Sequence, residues 1–181
     1  MIIDGDIHIS PHPGRDRISA DDALRRLDRA GIDRAICWLQ PHDYIPEVKE
    51  SNAYIHRAMV QHPDRILGFG WANPRLGLDH ARNTIKRCLD EYGFYGIKLN
   101  GAQNYYNVDD PQLALPLIEE IAKVGKPLAL HVGSDAFERT HPFRVAKIAR
   151  LLAKKAGLRK DFQSGDFDVV LALDTPDHAF A

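Results

Sequence analysis

The chain has 181 residues, 44% of them hydrophobic and 27% charged, with a formal net charge of −1. That is ample material for a single globular domain, 1–181. The interspersed charges exclude the basic footprint of a nucleic-acid binder and the acidic tail of a charge-driven partner segment. No apolar run is long enough to span a bilayer, and Asp4 and Asp6 interrupt the first one as a secretory leader would not, so the expectation is a soluble, cytoplasmic chain with no membrane partner.

Ile2 to Ser10 (IIDGDIHIS) predicts the first strand. Alternation puts Asp4, Asp6, His8 and Ser10 on one side and Ile3, Ile7 and Ile9 on the other, because successive strand side chains point to opposite faces. A loop from Pro11 to Arg17 leads to a helix that starts at Ser19, with Asp22 as its capping-box partner. Leu24, Leu27 and Ala30 give this helix an apolar stripe and Gly31 stops it. Ala35 to Leu39 (AICWL) is a second strand; a loop with Pro41 and Pro46 and a helix over 51–62 follow, ended by Pro63.

The rhythm then repeats. Ile66 to Ala72 (ILGFGWA) reads as a strand, Asn73-Pro74 turns the chain, and Ala81, Ile85, Cys88, Leu89 and Tyr92 fall at helical spacing. Gly96 to Asn100 is a fourth strand, followed by a polar and aromatic loop over 101–109 and a helix opened by Asp110-Pro111 and stopped by Gly125. Pro127 to Gly133 (PLALHVG) is a fifth strand, whose one polar group is His131. A loop over 134–141, a basic helix over 142–156 and a sixth strand, Asp168 to Leu173, complete the series. Cys37 and Cys88 read as buried thiols that need no disulfide.

Six continuous apolar strands alternating with helices predict a parallel α/β fold, in which chemistry collects where strands end and βα loops begin. The polar residues at those ends are Asp6, His8, Gln40, Asn73, Lys98, Asn100, His131 and Asp174. Two strands that each lift an imidazole at their C-terminal ends, His8 and His131, make a metal site the leading hypothesis. His56, His62 and His80 lie on helices and read as solvated; His12, His42 and His141 lie in loops on the functional side. No glycine-rich phosphate loop follows any strand, which weakens a nucleotide-binding reading.

The segments IDGDIHIS, LDRAGIDRAICWL, HPDRILGFGWANP, YGFYGIKLN, PLALHVGSD and HPFRVAKIAR, in this order over Ile2 to about Arg150, resemble the amidohydrolase-related family. Its members are metal-dependent (β/α) barrels that include aminocarboxymuconate-semialdehyde and γ-resorcylate decarboxylases as well as lactone and amide hydrolases. The resemblance implies a parallel barrel of this type, truncated to about six βα units, because a complete barrel takes about 250 residues. The family's first strand usually reads D-x-H-x-H, and here Ser10 stands at the second histidine; Asp6-Ile7-His8 is similar to an E-x-H variant found in some of its decarboxylases. His131 matches the fifth-strand histidine ligand, and Lys98 in G-x-K-L would order the site or a substrate carboxylate. Asp174 would be the counterpart of the eighth-strand aspartate, serving as fourth ligand and as proton acceptor, or else an unrelated residue in a turn.

The sixth-strand histidine has no counterpart, and after Arg150 the chain diverges from the family, so 151–181 reads as a divergent tail. That tail is native to a partial barrel that dimerises, a consequence of deletion, or a frame-shifted stretch. The implied function is hydrolysis or decarboxylation of a small carboxylate-bearing or aromatic substrate with zinc, or alternatively manganese, on Asp6, His8, His131 and Asp174. Asn100, Tyr105 and Arg139, together with Tyr44, Tyr106 and Lys98, would suit a planar carboxylate. A metal-free barrel remnant acting as a scaffold is the competing expectation, favoured by Ser10 and the short length.

Overall fold

Five parallel-type strands alternate with helices in the computed structural model, which describes residues 1–12, 14, 17–39, 48–132 and 137–155. The predicted sixth strand with Asp174, the loop positions Gln40, His42 and Tyr44, and residues 133–136 lie outside the described residues. The architecture is parallel α/β, as the apolar strand runs predicted. The chain divides into two compact units, Met1–Ala72 with Arg82–Lys98, and Asn73–Ala81 with Leu99–Ala181.

In the first unit, strands β1 (Ile3–Ile9), β2 (Arg34–Leu39), β3 (Ile66–Trp71) and β4 (Gly96–Leu99) pair in that order, each parallel to the next. β3 and β4 are buried along their whole length, whereas β1 is exposed at its start and buried only at Ile9. The predicted strict alternation of β1 does not hold. The register against β2 shifts between Asp4 and Ile7, a bulge centred on Gly5-Asp6, where the Asp6 N–H folds back onto Asp4 Oδ1 at 3.1 Å. Glycine at a bulge costs no side-chain packing, and the extra residue re-aims Asp6.

Helix α1 (Ala20–Ala30) forms as its caps require. Ser19 accepts from the Asp22 N–H while the Asp22 carboxylate accepts from the Ser19 N–H, and Gly31 closes the helix at φ 68°. Helix α2 (Val48–Gln61) begins ahead of the predicted Ser51, which is buried instead of capping. Helix α3 (Leu78–Lys86), which starts in the second unit, runs into one π-helical turn over Arg87–Glu91 that delivers Cys88 and Phe94 onto β3. Gly68 and Gly70 admit them: a Cβ at Gly70 would stand 2.6 Å from Cys88 Sγ, and one at Gly68 2.7 Å from the Phe94 ring. His56 is not the solvated helix residue predicted; it stacks on Tyr92 at 4.5 Å.

The second unit holds α4 (Ala114–Val124), β5 (Leu128–Leu130), α5 (Phe137–Thr140) and α6 (Pro142–Lys155). The His131 N–H, just past β5, donates to Leu99 O at the end of β4. α4 starts at Ala114, later than predicted, because Asp110 Oδ1 holds the N–H groups of Gln112 and Leu113 in a turn first. Both cysteines are free and buried, their thiol pKa values pushed up to about 12 by burial. Among the described residues no helix is long and apolar enough to cross a membrane.

Candidate active site

Parallel register brings the chemistry of the first unit together at the C-terminal ends of its strands. His8 on β1 pairs with Trp38 on β2, and Trp71 on β3 with Lys98 on β4. The His8 ring then has two fixed partners. Its Nδ1 lies 2.6 Å from Leu39 O, a group that can only accept, so Nδ1 carries the proton. Its Nε2 accepts from the Trp38 indole N–H at 3.0 Å. Nε2 is therefore the acceptor nitrogen of the ring, and its lone pair points at the Trp38 N–H.

Asp6 completes the arrangement. Its Oδ1 is buried, has no hydrogen-bond partner, and sits 3.3 Å from His8 Nε2. Its Oδ2 lies 3.7 Å from the Lys98 ammonium, which is 1% exposed and rests 3.8 Å above the Trp38 ring. Burial pushes the Asp6 pKa up, but its surroundings, the Lys98 ammonium among them, outweigh that and hold the carboxyl below its ordinary value. The Asp6 Oδ1, a buried oxygen that makes no hydrogen bond, thus stands 3.3 Å from the one ring nitrogen of His8 left to act as a ligand.

That spacing fits a divalent ion. Two donors each about 2.1 Å from a shared ion, at angles of about 90–110°, stand about 3.0–3.4 Å apart. Oxygen and imidazole nitrogen together suit manganese or zinc. Asp6 and His8 thus fit two positions of a coordination sphere. Among the described residues no group of three or more His, Cys, Asp or Glu side chains is assembled.

The other predicted residues have the following places. His131 is buried in the second unit. Asp174 lies outside the described residues. Ser10, at the position of the missing histidine, is buried and uses its Oγ to accept from the His12 N–H, which shapes the loop after β1. Asn100 is spent on a turn: Oδ1 accepts from the Gln103 N–H and Nδ2 donates to Gln103 Oε1. Asn73 caps the single 3-10 turn after β3 through the Arg75 N–H. Tyr105 and Arg139 do meet, the guanidinium 5.3 Å over the ring, with Tyr105 held at φ 58°. His12 faces Glu50 at 3.8 Å, on the rim of a cavity of about 460 Å³ that Tyr54 and Arg57 also line.

Sequence reasoning missed Trp38. It reads as one more apolar residue of a buried strand, and only strand pairing shows that it stands opposite His8. It also missed Asp109, a buried carboxylate that accepts from Arg144 and, at 2.9 Å, from Lys147, both on α6.

The amidohydrolase family model matches residues 3–159. A 2-amino-3-carboxymuconate-6-semialdehyde decarboxylase of Dictyostelium discoideum is 30% identical over 128 residues, covering 64% of this chain and 35% of its own. A γ-resorcylate decarboxylase of Rhizobium radiobacter is 30% identical over 126 residues, covering 61% of this chain and 38% of its own. The chain therefore spans little more than a third of the length of these curated relatives. Among solved structures, a dihydroxybenzoic acid decarboxylase of Polaromonas, with bound manganese and the inhibitor 2-nitroresorcinol, superposes with a TM-score of 0.57 at 21% identity. That match covers 72% of this chain and 48% of the other, and at such identity it speaks for the fold.

Proposed function

Since the chain belongs to the amidohydrolase family, we propose that it carries the metal-binding half of a carboxy-lyase that acts on a small aromatic carboxylate. The observation behind this reading is the buried Asp6 Oδ1, which makes no hydrogen bond, set 3.3 Å from His8 Nε2. The decarboxylase relatives and the manganese-bound neighbour support the choice of reaction and of ion; zinc is the second candidate.

When bound, the divalent ion would draw electron density from a substrate carboxylate and its neighbouring oxygen. The rest falls to the chain's own side chains. Asp6 and His8 would hold the ion, and His131 and Asp174 are the further donors the family pattern proposes. Lys98 offsets the charge of Asp6 and gives this end of the sheet a buried cation that attracts an anionic substrate. Trp38 and the fully buried strands β3 and β4 keep water from that cation, which strengthens its attraction. Arg139 and Tyr105, already in contact, are proposed to bind the substrate ring and carboxylate, with Asn100 stiffening the turn that carries Tyr105.

β1 is the edge strand among the described residues, with Ile2 59% and Ile3 42% exposed, and this supports self-association into a homodimer. Metal analysis and assay test the main reading together. Purified protein should hold about one equivalent of manganese or zinc, lost in His8→Ala, and should release carbon dioxide from a hydroxybenzoate. Protein that takes up neither ion from buffer would overturn it.

A further inference from the structure

The indole of Trp38 is fixed on three sides. Its N–H meets His8 Nε2 at 3.0 Å, its face carries the Lys98 ammonium at 3.8 Å, and the Phe69 ring meets it edge-on with centroids 5.8 Å apart. It is completely buried. A buried indole N–H always needs an acceptor, and backbone carbonyls are the commonest supply. Here the acceptor is the one atom of His8 that a metal ion would need, directly beside the orphaned oxygen of Asp6.

We propose that Trp38 competes with metal for His8: its indole N–H holds the Nε2 lone pair and is displaced when a divalent ion binds. The inference rests on the metal reading given above and goes beyond it. Two consequences distinguish it from a tryptophan that merely fills the core. Metal entry breaks the Trp38–His8 hydrogen bond, so the indole N–H must change its surroundings. Removing the N–H while keeping an aromatic ring removes a competitor for Nε2, so the ion binds more tightly.

The chain has two tryptophans, Trp38 and Trp71, so the unmutated full chain labelled with 15N-tryptophan gives two indole N–H signals. After chelator treatment, zinc, which is diamagnetic, is added to one equivalent while calorimetry follows binding. The signal that is missing in Trp38→Phe is expected to shift in step with the binding heat, and Trp38→Phe is expected to bind zinc about fivefold more tightly, the worth of one neutral hydrogen bond. Zinc binding that leaves the Trp38 signal in place, or binding in Trp38→Phe that is no tighter, overturns this inference and leaves the metal reading standing. No binding heat in any form of the protein overturns both. Should Trp38→Phe fail to fold, Trp71→Phe assigns the signals and the shift alone decides.

Discussion

Two carboxylates, the half-buried Asp6 in one unit and the buried Asp109 in the other, show how differently the same group can be used. Asp109 is saturated: Arg144 takes one oxygen and Lys147 the other, at 2.9 Å, and Arg144 is braced further by donating Nε–H to Glu138 O. Burial pushes its pKa up, but the two cations outweigh that and hold it below the ordinary value. Asp6 is unsaturated, with one oxygen 3.7 Å from Lys98 and the other without a hydrogen bond, 3.3 Å from His8 Nε2. A carboxylate whose valences are all used pins one element to another, here α6 to the loop after β4. A carboxylate left short of partners in a buried place keeps room for a ligand.

Substitutions can break this contrast. The largest effect is expected at Asp6: Asp6→Ala should weaken manganese or zinc binding by more than about a hundredfold in calorimetry. Asp109→Asn should instead leave metal affinity within about twofold and lower unfolding stability in urea by about 2 kcal/mol, because a buried charge-assisted pair is lost. Equal losses of metal affinity at both positions would erase the distinction.

Acid sharpens it. The Asp109 pKa is lower in the folded chain than its ordinary 3.8, so the stability it contributes is fully present above that value and is lost as pH falls through the folded one. The stability gap between the wild type and Asp109→Asn should therefore be constant near neutrality and close below about pH 4. The smallest effects belong to the cations. Arg144→Ala should cost about 1–1.5 kcal/mol, since that side chain is one-third exposed and doubly bonded. Lys147→Ala should cost under about 0.5 kcal/mol, since Lys147 is 70% exposed, and about 1 M salt should remove even that.

Much of the framework was legible without coordinates. The βα rhythm, the Ser19–Asp22 capping box and the Gly31 stop are local, set by neighbours within one helical turn or one strand. So was the placing of Asp6, His8 and Lys98 at the strand ends, where parallel α/β folds gather polar groups. The asparagines at those ends carry a second job that the sequence does not show: Asn73 and Asn100 each satisfy the backbone of their own turn. That competition between turn capping and function cannot be seen in composition.

The sequence by itself determined which residues form strands and helices and which polar groups stand at the strand ends. Only the tertiary structure decided that Trp38 meets His8 across 30 positions of chain, that Lys98 balances Asp6, and that Asp109 is closed off by α6. Periodicity is read within one element, whereas these contacts depend on strand register, on the bulge at Gly5-Asp6 and on the packing of separate elements, and no local pattern encodes those.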